Sequence, residues 1–322
     1  MPKVEKKPAS SSSIHSARAT RSQMRVNNTT SPEQTAEEAE LLSETNASSF
    51  TIIPPPTVTN IDKLPAKLTV AISGLTRRDH ATLLRKQRWL WAYKVDIPKG
   101  APTVAPALDA TLVFAQEEAG TAVCISSQGL LLTCSHCVAE TAEELDYDKI
   151  HWLLFSSGTV VAAKCVKWDN RRDLGLLQIS ASQISQIATP AHVSPPPSFP
   201  RISLGTSSPP LNAPLCCIGH PGTEDLETSE PGIKTNYDVL HVSEGLFHGY
   251  AEGQDLQDNS KIGALMHDCW TYWGHSGAPI VCKESGELVG LHSSWDEETG
   301  MRRGVPLEAI VAFLEEYEEE RE

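Results

Sequence analysis

The sequence predicts an all-β architecture of two packed six-stranded β-barrels, with a C-terminal helix and a disordered N-terminal tail. Three observations predict it. Short β-rich runs fall at 110–115, 120–126, 129–134, 150–155, 159–167 and 174–179, separated by Gly, Ser, Asp or Asn turns. A second set follows near 214–219, 238–249, 261–267, 278–283, 287–295 and 303–305. Between them, residues 194–210 hold Pro195-Pro196-Pro197, Pro200 and Pro209-Pro210, residues that cannot donate to a sheet ladder. Two strand clusters joined by such a linker close most simply as two barrels.

The elements follow in chain order. Residues 1–64 form the tail: eighteen of the first sixty residues are Ser or Thr, and Phe50 is their only aromatic. So little apolar surface does not offset the entropy of ordering a backbone. Residues 1–30 carry Lys3, Lys6, Lys7, Arg18, Arg21 and Arg25 against one Glu, whereas 31–60 carry five Glu and no base. Glu5 and the early prolines argue against an amphipathic import helix, so these charges read as a solvated tail.

Residues 65–105 are expected to be a helical extension. Thr76 and Asp79 have capping-box spacing, and Leu83, Leu84, Leu90 and Trp91 fall near one face. Arg77, Arg78, Arg85, Lys86 and Arg88 fill the face expected to be wet. The range 106–318 is the main domain, with the first barrel to 193, the linker at 194–210, and the second barrel and terminal helix over 211–318. After Pro306, Ile310, Phe313, Leu314 and Tyr317 recur at i, i+3, i+4 and i+7. The acid-rich tip, 315–322, is expected to be exposed and frayed.

Composition excludes several classes of function. The 322 residues include 41 Asp+Glu and 27 Lys+Arg, a formal charge of −14. A field of that sign repels phosphate backbones and anionic lipid, so neither a nucleic-acid nor a membrane partner is expected. No apolar run approaches the ~20 residues that span a bilayer, and no signal peptide opens the chain. Eight cysteines are too few for a disulfide scaffold of this size and read as reduced thiols in an intracellular protein, cytoplasmic or nuclear.

Three segments carry chemistry. In Gly129-Leu130-Leu131-Leu132-Thr133-Cys134-Ser135-His136-Cys137-Val138 a buried strand delivers a histidine at its end, a rigid place for a general base. In Asp169-Asn170-Arg171-Arg172-Asp173-Leu174-Gly175-Leu176-Leu177 an Asp opens another apolar strand. In Trp273-Gly274-His275-Ser276-Gly277-Ala278-Pro279 a serine sits between two glycines ahead of a strand.

These segments resemble those of the chymotrypsin-like (PA clan) serine peptidases, and are closest to the HtrA/Deg branch. The chain order His, Asp, Ser is that clan's. Cys217-Ile218-Gly219-His220-Pro221-Gly222, Gly286-Glu287-Leu288-Val289-Gly290-Leu291 and Gly304-Val305-Pro306-Leu307 resemble further signatures of the branch, so the likeness covers about residues 110–317. It implies a trypsin-like double barrel and a serine endopeptidase acting on protein or peptide substrates, with no metal or other cofactor. No PDZ-like segment follows the terminal helix, so the sensing and trimer logic of many HtrA proteins is not carried over, and the oligomeric state is left open.

The resemblance and the chemistry assign the same roles. A serine hydroxyl is a weak nucleophile at neutral pH, so His136 serves as general base to Ser276, and Asp173 fixes its tautomer. The backbone N–H groups of Gly274 and Ser276 form the oxyanion hole, with Gly274 permitting the turn. Trp270 falls where trypsin-like enzymes place the Asp that reads basic side chains, which predicts a small or apolar P1 residue. Ser293, Ser294 and Trp295 resemble the strand edge that pairs with substrate backbone.

His275 replaces the Asp that precedes the serine in secreted relatives, and no Arg-Ile-Val-Gly-Gly activation site precedes the barrel. His275 either holds the loop by hydrogen bonding or leaves the hole unformed until substrate arrives. Two alternatives follow: a silent trypsin-fold scaffold that binds peptides, and a metal or thiol sensor built on Cys134 and Cys137. A structural zinc site needs four ligands, and neither a second CxxC nor the adjacent pair Cys216-Cys217 supplies them.

Overall fold

The computed structural model describes residues 57–61, 75–116, 120–183, 198–228, 230 and 232–322. The charged halves of the tail, the start of the extension at 65–74 and the proline run 195–197 lie outside the described residues.

The strands are short because turn residues interrupt the apolar runs every few positions. In the first half they are β1 (Thr59–Asn60), β2 (Thr111–Phe114), β3 (Thr121–Cys124), β4 (Leu130–Thr133), β5 (His151–Phe155), β6 (Val160–Asp169) and β7 (Leu174–Ser182). Strands β2 to β7 close in the order β7-β4-β3-β2-β5-β6, with β6 pairing back to β7. The second half supplies β8 (Pro214–Gly219), β9 (His241–Tyr250), β10 (Leu265–His267), β11 (Pro279–Cys282), β12 (Leu288–Trp295) and β13 (Arg302–Pro306). These close in the order β10-β13-β12-β11-β8-β9. Both barrels are antiparallel and six-stranded, as the sequence predicts.

Among the described residues three α-helices flank them: α1 (Arg77–Ala92), α2 (Ala105–Ala110) and α3 (Leu307–Glu319). The capping box of α1 is formed, with Thr76 and Asp79 each accepting from the other's backbone N–H. Leu83 and Leu90 are buried, but Trp91 is 63% exposed. The place on the inner face goes to Lys86, expected to be wet and found with no exposure at all. Its Nζ donates to the carbonyls of Phe114 (2.8 Å) and Gln116 (2.6 Å). Burial pushes its amine well below the usual lysine range. Two carbonyls left open at the end of β2 make a site for that donor which the strand ladder does not fill.

Three features depart from expectation. Thr59–Asn60, within the stretch assigned to the tail, pairs parallel with β7 (Thr59 opposite Ala181, Asn60 opposite Ser182). Helix α2 and the 3₁₀ turn before it span the boundary drawn at 105/106, because Pro102 and Pro106 lie in first helical turns, where a missing N–H costs nothing. The acidic end of α3 is tied down: Arg172 grips the Glu316 carboxylate with both terminal nitrogens (2.6 and 2.9 Å), and Lys167 reaches Glu320 at 2.7 Å. The helix buries Leu307, Ala309, Ile310, Phe313 and Tyr317, and its Arg172 contact fixes the turn between β6 and β7.

Candidate active site

The buried run of β4 ends at Thr133, whose hydroxyl donates to the Thr121 carbonyl at 2.7 Å. A single 3₁₀ turn, Ser135–Cys137, then presents His136. The turn ahead of β7 presents Asp173, buried, with φ of 54°. That left-handed conformation costs an L-residue about 1–2 kcal/mol, less for Asp than for bulkier side chains. Asp169 stabilises the turn by accepting from the Arg172 backbone N–H at 3.0 Å.

His136 Nδ1 lies 2.8 Å from Asp173 Oδ1 and 3.1 Å from Oδ2. The carboxylate also accepts from the hydroxyls of Ser135 (2.9 Å) and Ser293 (2.6 Å). Burial by itself would push the Asp173 carboxyl up; His136 and then the Ser293 and Ser135 hydroxyls outweigh it and hold the group below the ordinary carboxylate range.

Ser276 sits in a turn that only glycine permits. Gly274 and Gly277 have φ of +96° and +80°, and a Cβ on Gly277 would lie 2.1 Å from the Thr121 carbonyl oxygen. Thr121 fastens the turn twice: its N–H donates to the Ser276 carbonyl at 2.8 Å and its hydroxyl to the Gly274 carbonyl at 2.9 Å. The Ser276 hydroxyl donates to the Ser293 carbonyl at 3.3 Å. Among the described residues it makes no hydrogen bond to His136. Ser293 therefore joins the nucleophile candidate to Asp173, one group through its carbonyl and the other through its hydroxyl.

The N–H groups of Gly274 and Ser276 donate to no acceptor among the described residues. The Trp273 carbonyl accepts from Gly222 N–H at 2.6 Å, so the planar trans peptide points Gly274 N–H the opposite way. His275 is fully buried, with Nδ1 against the backbone of Tyr272 (3.1 Å to N, 3.0 Å to O). Burial pushes it down to about 3, so it is neutral and fills the loop's interior. Of its two expected roles, holding the loop is the one its contacts serve.

The remaining site residues divide. Trp270 belongs to an aromatic cluster with Tyr237 (5.1 Å between centroids), His241 (5.0 Å) and His275 (5.6 Å). A cavity of about 370 Å³ opens beside it, lined by Pro221, Asn236, Tyr237, Asp238, His241 and Trp270. Ser293 is buried, the Ser294 hydroxyl accepts from Gly263 N–H at 3.5 Å on the other side of the strand, and Trp295 is exposed. Strand β11 pairs with β12 only as far as Leu291, so the same edge at Ser293–Trp295 faces no strand among the described residues.

The thiol of Cys134, a ring nitrogen of His136 and a carboxylate oxygen of Asp173 all lie within 4.8 Å of one another. The fit to a metal is poor: His136 and Asp173 are bonded to each other, and burial pushes the Cys134 thiol well above its usual range, away from the thiolate a metal needs. Its Sγ donates to the His292 carbonyl at 3.4 Å. Sequence reasoning missed the Ser135 and Ser293 hydroxyls, the double anchor of Thr121 and the neighbouring Arg302. Strand register brings these together, and no motif marks them.

Two closed barrels with a His–Asp pair and a glycine-framed serine define a trypsin-like fold. The chain belongs to the trypsin-like peptidase domain family, whose model matches residues 120–291. No curated protein sequence matches it. Among solved structures it is similar to a serine endoprotease from Yersinia pestis, at 20% identity and a TM-score of 0.47, over 69% of this chain and 67% of that one. It is also similar to Rv3671c from M. tuberculosis H37Rv in its inactive form, at 15% identity and a TM-score of 0.45, over 69% of this chain and 95% of the other.

Proposed function

We propose that this protein is a serine endopeptidase that cleaves protein or peptide substrates through an acyl-enzyme intermediate. The 2.8 Å contact between His136 Nδ1 and Asp173, with Ser276 on the same network, carries this reading. A carboxylate only accepts, so Nδ1 holds the ring proton and Nε2 presents a lone pair. The Ser276 hydroxyl turns from the Ser293 carbonyl to Nε2 and gives up its proton as Oγ attacks the scissile carbonyl. The imidazolium, stabilised by Asp173, then protonates the leaving amine; water repeats the sequence on the ester. Gly274 and Ser276 N–H receive the oxyanion, and the Gly222 anchor on Trp273 supports a hole formed before substrate arrives. The open edge at Ser293–Trp295 pairs with substrate backbone. The reading includes a reducing, intracellular compartment, as eight cysteines are too few for a disulfide scaffold of this size.

Hydrolysis of a quenched fluorescent peptide library tests the reading. Wild type turns over part of the library and Ser276→Ala falls to background. A folded wild type without turnover would favour a silent, peptide-binding barrel. The Ser276–Ser293 hydrogen bond is the one observation on that side, since it points the hydroxyl away from the base.

A further inference from the structure

Among the described residues, Arg302 is an arginine without an acid. In register, β12 and β13 set Trp295 opposite Arg302, and the guanidinium lies 5.1 Å from the Trp295 ring centroid. Its Nη2 donates to the Thr271 carbonyl at 3.4 Å. No carboxylate lies within ion-pair distance of it among the described residues. Its neighbour Arg303 is satisfied by Asp296, Gln254 and the Gly263 carbonyl. Arg78, Arg171 and Arg172 also hold acids. In a chain with 41 acidic and 27 basic residues, a half-buried arginine left unpaired is an exception. Burial pushes its guanidinium down, and Glu227 acts on it only from a distance.

Its position gives the exception a use. Thr271 lies five residues before Ser276, and Trp295 two residues beyond Ser293, whose carbonyl holds the Ser276 hydroxyl. The cation therefore bridges the two segments that flank the serine, on β13, across β12 from its open edge. A residue whose backbone pairs with that edge, and whose carbonyl faces Ser276, directs its side chain between those segments. The nearby rings of His267, His275 and His292 are buried and held neutral, so they add no positive charge beside Arg302.

We propose that Arg302 is a specificity-determining residue that selects an acidic P1 side chain, Glu or Asp; this rests on the peptidase reading above. A planar guanidinium grips a carboxylate with two charge-assisted bonds, and its partial burial strengthens them. A basic side chain meets like charge, and an apolar one leaves the cation as unpaired as in the free protein. Trp270 alone suggests a small or apolar P1 residue. Trp270 and Arg302 agree in excluding Lys and Arg, and Arg302 decides for acid.

The test uses fluorogenic peptides that differ only at P1 (Glu, Asp, Gln, Val, Lys), with the full chain and its Arg302→Gln and Arg302→Glu variants. Wild type is expected to show kcat/KM for Glu or Asp at least about tenfold above Gln, with Lys lowest. Arg302→Gln brings the Glu-to-Gln ratio to about one, and Arg302→Glu raises Lys above Glu. Fluorophosphonate labelling of wild type is run alongside. Labelling with a Val- or Lys-led profile, or with a ratio unchanged in Arg302→Gln, overturns the assignment of Arg302 alone. No labelling overturns the peptidase reading and this proposal with it. If the variants fail to fold by thermal melt, the wild-type Glu-to-Gln ratio decides.

Discussion

The Ser293 hydroxyl donates to Asp173 Oδ2 at 2.6 Å while the same residue's carbonyl accepts the Ser276 hydroxyl. One residue on β12 thus steadies the carboxylate and parks the candidate nucleophile. Ser293→Ala removes a hydrogen bond to a buried charge, of the kind that contributes about 1.5–3 kcal/mol. We expect kcat/KM to fall about tenfold or more, mostly in kcat, in steady-state peptide hydrolysis. Unchanged kinetics would show that Ser135 and His136 hold Asp173 without it.

Replacing the carboxylate itself tests orientation. Asp173→Asn keeps the volume but offers His136 a donor where it needs an acceptor. The ring then turns or changes tautomer, and kcat is expected to drop about 10³- to 10⁴-fold with KM little changed.

Buried neutral histidines make the fold sensitive to acid. Burial pushes His151 down to about 4, and His267 and His275 to about 3. Their folded pKa values lie below the unfolded value near 6.5, so the unfolded chain takes up protons first as pH falls. Their contribution is fully present above about pH 6.5 and is lost on the way down to about 3–4, at roughly 1.4 kcal/mol per pH unit for each. The lowered carboxyl of Asp173 acts in the same direction at the acid end. Urea midpoints measured from pH 7 to 4 should fall steeply. A flat profile would mean that these rings are hydrated or already charged.

The turn that holds Ser276 should tolerate no side chain. Gly232 and Gly277 share a φ near +80°, but a Cβ at Gly232 meets nothing within 4 Å, whereas at Gly277 it strikes the Thr121 carbonyl. Gly232→Ala should lose about 1 kcal/mol from backbone conformation alone. Gly277→Ala should lose clearly more, and with it peptide turnover. Thermal melts of the two variants side by side check the difference.

Much of this was legible in the sequence because strand ends carry the chemistry. His136 follows a run of leucines, Asp173 precedes one, and Ser276 lies between glycines, so each local pattern pointed to its element. What was missed depends on register or on competition between burial and charge. Arg302 meets Trp295 only because β12 and β13 pair with one particular offset, across a bulge between His292 and Ser294. Lys86 read as solvent-facing by its charge, yet the open carbonyls of Phe114 and Gln116 draw it inside.

The central claim is that His136, Asp173 and Ser276 act as one unit. Fluorophosphonate labelling, with the modified residue located by mass spectrometry, tests it most directly in wild type, His136→Ala and Asp173→Asn. The account predicts near-stoichiometric modification of Ser276 in wild type and a large loss of labelling rate in both variants. A wild-type Ser276 that stays unmodified, or one labelled equally fast without His136, would contradict it.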